Sequence, residues 1–392
     1  MTMYYIGDKS FFEAVMENIY FDNSATTPPA TEAVQTAVRF MTEEYGNPSS
    51  LHHMGISAAA ALNNARKIIA DELGCDVSEV YFTSGGTESN NTAIIGGAIK
   101  NKHIGNGIVT SAFEHDSVIN TVKSLEAEGF KAQFVSPDKN GCISAEKFAE
   151  KVDKNTALVS CMLVNNEIGT INDVAQIFKL AKAKNPSVIC HCDAVQAFGK
   201  ISCLVKKLCC DMMSISGHKI HAIKGVGALY IKKGLVIRPR NIGGGQENSM
   251  RSGTESVPLI AAFSEATKLC KQKAEHHIKV QSLNERIKNA LINEGFSINS
   301  PSDAIPYILN VSVLGVRSEV VLNYLSSKGI CVSAGSACSK GKRSHVLSSM
   351  GLDAKRIDSA IRISLSRYNT EDEADKLINA LIEAKQLLTI KR

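Results

Sequence analysis

From residue 79 to residue 234, short runs rich in β-branched and apolar residues alternate with segments of helical period. "EVYFTS" (79–84), "GIVTS" (107–111), "ALVSCMLV" (157–164), "SVICHCDA" (187–194), "MMSIS" (212–216) and "GALYIKKG" (227–234) read as strands. Between them, "ESNNTAIIGGAIK" (88–100), "SVINTVKSLEAEG" (117–129) and "INDVAQIFKLAKAK" (171–184) read as helices. This alternation predicts an α/β fold, with a mostly parallel sheet covered by helices on both faces. Ligands of such sheets sit at the carboxyl ends of the strands. The residues just after each strand are therefore the ones to read for chemistry.

After "RSGTESVPLI" (251–260) the texture changes. A long charged helical pattern (261–295) leads to the short strands "YILNVSV" and "AIRISLS", and the chain closes in helical "EDEADKLINALIEAKQLL". We read a large domain ending near residue 258 and a smaller α+β domain over 259–392. The chain has 392 residues, 44% hydrophobic and 21% charged, as expected of a soluble globular protein with a large core. Its net charge of +5 comes from scattered Lys and Arg, and Trp is absent, so no nucleic-acid surface stands out. No window approaches the ~20 apolar residues that span a bilayer. The opening "MTMYYIGDKSFFEAVMENIY" does not read as a secretory signal. Eleven cysteines, an odd number, then point to free thiols in a reducing cytoplasm. Cys190 and Cys192 flank His191, and Cys209 adjoins Cys210, but no CxxC pair is formed. These are expected to be core cysteines, with no metal site.

Four strand ends carry candidate chemistry. In "TSGGTES" (83–89), Gly85 and Gly86 let a ligand approach the backbone, and the N–H groups opening the next helix attract an anion; a plain strand-to-helix turn reads the same way. Asp193 ends an otherwise apolar strand, where a carboxylate needs a partner: a helix cap, an ion pair or a pyridinium nitrogen. In "SISGHKIHAIKG" (214–225), Lys219 follows Ser216 and His218 directly on a turn. A lysine there is either an ordinary solvated one or, with a lowered pKa, a Schiff-base former. In "FEHDS" (113–117), His115 suits ring stacking and proton transfer as well as a structural role. Separately, Cys338 stands in "SAGSACSKGK" (333–342), with almost nothing apolar around it to be buried with.

Twelve stretches in order carry a resemblance: "YFDNSATTPP", "YGNPSSLH", "FTSGGTESNN", "EHDSV", "VNNEIGT", "DAVQ", "SGHKI", "KGVGALY", "RSGTESV", "ILNVS", "SAGSACS" and "IRISLSRY". Together they span Tyr20 to about Tyr368. The chain resembles the cysteine desulfurases, pyridoxal 5'-phosphate (PLP) enzymes of the aminotransferase class V fold, and most of all the iron–sulfur-cluster and nitrogen-fixation type. The start of the match sets the large, PLP-binding domain at 20–258 and leaves 1–19 as an N-terminal extension.

The resemblance implies roles. Lys219 matches the lysine that holds the cofactor covalently. Asp193 matches the partner of its ring nitrogen, and Gln196 the contact to its phenolic oxygen. Gly86, Thr87, Ser216 and His218 match the phosphate cradle. Thr254 matches a residue that reaches the neighbouring subunit's cofactor, which implies a homodimer. His115 matches the ring-stacking acid/base. Asn166 and Arg362 match contacts to cofactor and substrate, with Arg362 clamping the amino-acid carboxylate, and Asn47 is a further substrate contact. Cys338 matches the loop cysteine that takes sulfur as a persulfide, and Lys340, Lys342 and Arg343 would favour its thiolate. The implied reaction converts L-cysteine to L-alanine and passes sulfur to an acceptor protein such as an iron–sulfur scaffold. A selenocysteine lyase, a class V aminotransferase or a non-catalytic assembly scaffold are the rivals. Retention of Lys219, Asp193 and His115 argues against the scaffold. His221-Ala222-Ile223 replaces the aromatic-Gly-Pro of many members.

Overall fold

The computed structural model describes residues 18–334 and 343–388. Its twelve strands, counted among the described residues, are β1 (Ile19–Tyr20), β2 (Val80–Thr83), β3 (Gly107–Ser111), β4 (Lys131–Val135), β5 (Thr156–Met162), β6 (Ile189–Asp193), β7 (Met212–Ser216), β8 (Gly227–Ile231), β9 (Ser297–Ile298), β10 (Ile308–Ser312), β11 (Ile330–Cys331) and β12 (Ala360–Ser364).

Seven of them form one sheet in the order β2-β8-β7-β6-β5-β3-β4. All run the same way except β8, which is antiparallel to both neighbours. Strands β3, β5, β6, β7 and β8 are buried at every residue, which explains why they read as continuous apolar runs rather than alternating ones. Successive residues point to opposite faces. Ile108, Leu158, Met212 and Leu229 pack with Ala93, Ile94 and Ala98 of the helix Gly86–Lys100. Val109, Val159, Met213 and Ile215 share the other core with Phe178, Phe198 and Phe263.

Because six strands run in parallel, their carboxyl ends share one edge of the sheet. Thr83, Ser111, Met162, Asp193 and Ser216 all end there, and β8 starts there, with Gly227 opposite both Thr83 and Ser216.

Smaller sheets build the C-terminal part. β10 pairs antiparallel with β12 and β9, and β1 pairs parallel with β11. The described chain therefore begins among C-terminal strands: Phe21 N donates to Cys331 O and Asn23 N to Ser364 O. From there it crosses the carboxyl edge of the large sheet. Thr27 N bonds to His218 O and Ala30 N to His221 O. This crossing lays Ser24 and Ala25 against the turn that carries Lys219.

Local chemistry moved some boundaries. The helix expected from 171 begins at Val174, because the Asp173 carboxylate accepts Gln176 N at 3.0 Å and caps it. The long helix expected over 261–295 is two helices, Val257–Lys268 and Lys273–Asn293. The break buries Cys270 against Gly199, where an added Cβ would lie 2.9 Å from Cys270 Sγ. Strand β4, exposed at Lys131 and only half-buried over the next three residues, has a weaker apolar signal than its neighbours and goes unread in the sequence.

Cys190 and Cys192 are buried, as expected of core cysteines, and burial pushes both thiols up. His191 between them bonds the hydroxyls of Ser160 and Ser214, each at 2.9 Å, and burial pushes its pKa down to about 3. Cys210 is buried and Cys209 exposed. Among the described residues no helix is long and apolar enough to cross a membrane.

Candidate active site

The turn after β2 forms a cradle. Gly85 has φ +149°, a conformation that favours glycine. A Cβ on Gly86 would lie 2.7 Å from Val195 Cγ2. Glu88 in the first helical turn closes the loop by accepting Ser84 N at 2.7 Å, and it is held in turn by Arg251 Nε at 3.1 Å. Thr87 is exposed at the start of the same 15-residue helix. From β7, Ser216 brings a buried hydroxyl that has no partner among the described residues, and a Cβ on Gly85 would come within 3.7 Å of it. His218 bonds Thr26 Oγ1 at 3.2 Å; burial, with Lys219 beside it, pushes its pKa down to about 4, so the ring is neutral at pH 7. Backbone N–H groups, a hydroxyl lacking a partner and a neutral imidazole suit a phosphate ester.

Asp193 at the end of β6 is 4% exposed. Its Oδ1 accepts Val195 N at 2.9 Å and its Oδ2 accepts Asn90 Nδ2 at 2.7 Å. Asn90 Nδ2 also donates to Ser117 Oγ at 2.9 Å, and Ser117 Oγ lies 2.8 Å from His115 Nδ1. Asp193 and His115, on different strand ends, are thus joined through two side chains that the sequence reading did not single out. Both stood in quoted motifs, "FTSGGTESNN" and "EHDSV"; their signal was position next to the chosen residues. His115 Nδ1 also accepts Ser117 N at 3.1 Å as the cap of the helix Asp116–Ser124. With Nδ1 accepting, the ring carries a proton on Nε2.

Lys219 Nζ donates to the carbonyls of Ser24 at 2.6 Å and Ala25 at 2.8 Å. Burial first, then the charges of Arg362 and Lys200, lower its pKa to about 7. A large share of this amine is therefore neutral at physiological pH, as a nucleophile needs. Gln196 Nε2 donates to the same Ser24 carbonyl at 2.9 Å.

Arg362 on β12 is 3% exposed. Its Nη2 donates to Asp22 Oδ1 at 2.8 Å and its Nη1 to Asn166 O at 3.0 Å, while its buried Nε has no partner among the described residues. The half-buried Asn166 thus meets the guanidinium through its backbone. Among the described residues, two expected residues make no hydrogen bond to this cluster. Asn47 is exposed and accepts Ser49 N at 2.9 Å. Thr254 is exposed in the loop after Arg251. That loop follows Glu247, which is buried and doubly bonded to Arg66 at 2.6 and 2.7 Å.

Cys338 lies outside the described residues, as do Lys340 and Lys342. The flanks of that segment are tied to the site. Ser333 N bonds Arg362 O, and Arg362 N bonds Ser333 O. On the far side Ser344 Oγ donates to buried Glu167, next to Asn166, and His345 Nε2 donates to Glu114 O, next to His115. Arg343, expected to favour a thiolate, is instead forked onto Asp358 at 2.7 and 2.8 Å.

The departure at His221 is accommodated. Its φ is +70°, its Nδ1 donates to Pro28 O at 2.9 Å, and its ring meets Tyr368 edge-on at 4.7 Å.

A mostly parallel sheet that gathers a lysine, a carboxylate, a histidine and a glycine cradle at one edge defines a class of protein, and the sequence profile of the aminotransferase class-V family matches residues 19–377. The chain belongs to that family and, within it, to the group that includes the cysteine desulfurases. It is 40% identical over 375 residues to a protein of Methanosarcina thermophila named cysteine desulfurase IscS, covering 94% of this chain and 92% of that one. A solved NifS-like protein superposes with a TM-score of 0.90 at 39% identity, covering 95% of this chain and all of the other. The solved protein SspA in complex with cysteine gives a TM-score of 0.80 at 35% identity, covering 90% of this chain and 99% of that one.

Proposed function

We propose that the protein is a cytoplasmic, homodimeric, PLP-dependent cysteine desulfurase. It converts L-cysteine to L-alanine and carries the sulfur as a persulfide on Cys338 to an acceptor protein for iron–sulfur cluster assembly or thiolation. The observation that carries this reading is the joined set at one sheet edge: Lys219 with a lowered pKa, beside the His115–Ser117–Asn90–Asp193 chain.

The residues fit pyridoxal phosphate. Gly86, Thr87, Ser216 and His218 would hold its phosphate, the lone Ser216 hydroxyl gaining a partner. Asp193 would hold the ring nitrogen, Gln196 the phenolic oxygen and Lys219 the aldehyde carbon. When bound, the group supplies an electron sink for a pair released at the substrate's Cα.

This chain's own groups do the rest. Among the described residues Arg362 Nε has no partner and each Nη makes one hydrogen bond, which leaves donors to fork onto the substrate carboxylate. Asn166 and Asp22 hold the guanidinium in place for it. Neutral Lys219 takes the Cα proton and returns it. His115, proton on Nε2, serves the groups near sulfur. The Cys338 thiolate then attacks the cysteine sulfur as the Cβ–S bond breaks. The bond pair stays with Cβ, which takes up one proton to become the methyl group of alanine, and the transferred sulfur stays on the Cys338 sulfur as a persulfide. Cysteine and one thiol thus give alanine and one persulfide, with no outside oxidant. Chain length allows the meeting: Cys338 is four residues past Ala334, a reach of at most ~14 Å, and the flanks touch Arg362 and the neighbours of Asn166 and His115.

The homodimer is supported by an exposed apolar set on and after the helix Thr31–Thr42: Val38, Met41, Tyr45, Leu51 and Ile56. A C2 partner covering this set is the commonest solution. The test of the function is product analysis with L-cysteine. Alanine is expected, and 3-mercaptopyruvate in its place would overturn the reading in favour of an aminotransferase.

A further inference from the structure

Lys200, four residues past Gln196 in "QAFGK", was absent from the sequence candidates. It is 8% exposed, and among the described residues no carboxylate forms an ion pair with it. Its Nζ donates to Gln196 Oε1 at 3.1 Å and sits 5.5 Å over the Tyr307 ring. It lines the same cavity of about 20 Å³ as Lys219.

We propose that Lys200 is a positioning residue for the reactive lysine. It locks the Gln196 carboxamide in one orientation and keeps an uncompensated positive charge behind Lys219. The inference rests on the reading that Lys219 is the reactive amine. An ammonium only donates, so Gln196 must turn Oε1 toward Lys200. The Ser24 carbonyl only accepts, so Gln196 must turn Nε2 toward Ser24, where it bonds at 2.9 Å. Lys219 Nζ shares that carbonyl at 2.6 Å. Lys200, Gln196, Ser24 and Lys219 thus form one chain in which donation from both lysine ends converges on the Ser24 carbonyl. The second Nε2 hydrogen of Gln196 is left for another acceptor.

The charge works alongside the geometry. The groups acting on Lys219 are Arg362 and Lys200, which disfavour its protonation, and Asp22 and Asp193, which favour it. Around Lys200 stand Arg362 and Cys270, with Tyr307 pushed up to about 12 by burial and therefore neutral, and Arg367 on the same cavity. Burial lowers Lys200 itself only to about 8, so most of it is charged at pH 7.

The test uses the full-length protein after cofactor removal. The pH dependence of Lys219 modification by trinitrobenzenesulfonate is read by peptide mass spectrometry in wild type, Lys200→Met and Lys200→Arg. The proposal expects the midpoint to rise by at least about half a pH unit in Lys200→Met and to return near wild type in Lys200→Arg. An unchanged midpoint in folded Lys200→Met overturns it, as does an equal shift in Lys200→Arg, which would mean lost packing. If Lys200→Met does not fold, Lys200→Gln takes its place, since it keeps a donor and drops the charge. The same rise in midpoint is then expected, and an unchanged midpoint overturns the proposal. A wild-type Lys219 that titrates near its ordinary value would instead overturn the reactive-amine reading.

Discussion

Replacing Lys219 by Met should make the cofactor-free protein more stable while abolishing turnover. Lowering the lysine from 10.5 to about 7 means that its charged form is disfavoured in the fold by up to ~5 kcal/mol, at ~1.4 kcal/mol per pH unit. The same change removes donors from the Ser24 and Ala25 carbonyls, at about 1 kcal/mol each. Ser24 keeps Gln196 Nε2 as a partner, so the loss there is partial. The net gain is roughly 2–3 kcal/mol at neutral pH and below. Between about pH 7 and 10.5 the unfolded chain holds a proton that folded Lys219 has lost, so wild-type stability rises with pH through that window. The advantage of Lys219→Met should therefore be largest below pH 7 and fade toward pH 10.5. Urea unfolding of both proteins at several pH values measures it. Equal stability at pH 6, or a difference that does not shrink on going alkaline, would refute the claim that burial holds this amine near neutrality.

Asn90→Ala should destabilise the protein by about 2–4 kcal/mol in urea unfolding, because it removes a charge-assisted bond to buried Asp193 and a neutral one to Ser117; Asn90→Asp, which sets a second carboxylate against the first, should be worse. Arg362→Lys should raise KM for cysteine more than it lowers kcat, since an ammonium lacks the fork, and steady-state kinetics decide. Thr254→Ala should lower cofactor affinity without changing the dimer mass by light scattering if the residue serves a neighbour's site. A monomeric wild-type mass with full activity would remove the shared-site reading.

Much of the fold was readable because fully buried parallel strands leave continuous apolar runs, and "GIVTS" and "MMSIS" coincide with β3 and β7 to the residue. What stayed hidden depends on partners distant in sequence. β1 and β11 are two residues each and exist by pairing across the chain. The helix break after Lys268 buries Cys270 beside Gly199, a contact no local pattern announces. In the site, residues with distinctive chemistry, such as Lys219, Asp193 and His115, stood out by type and place at strand ends. Asn90, Ser117, Ser24 and Lys200 did not, because an amide, a hydroxyl, a backbone carbonyl and one lysine among many carry no signal until folding sets them at hydrogen-bond distance.

In the proposed reaction sulfur leaves cysteine for Cys338 while the carbon skeleton becomes alanine. The most direct measurement supplies the full-length protein with pyridoxal phosphate, adds L-cysteine without reductant, and quantifies alanine and the mass of the peptide holding Cys338. One alanine is expected for each sulfur atom gained on that peptide in the first turnover. In Cys338→Ser alanine formation should be slower by at least about a thousandfold, a barrier higher by roughly 4 kcal/mol or more. Alanine appearing at the wild-type rate from Cys338→Ser, or a wild-type peptide that gains no sulfur while alanine accumulates, would contradict it.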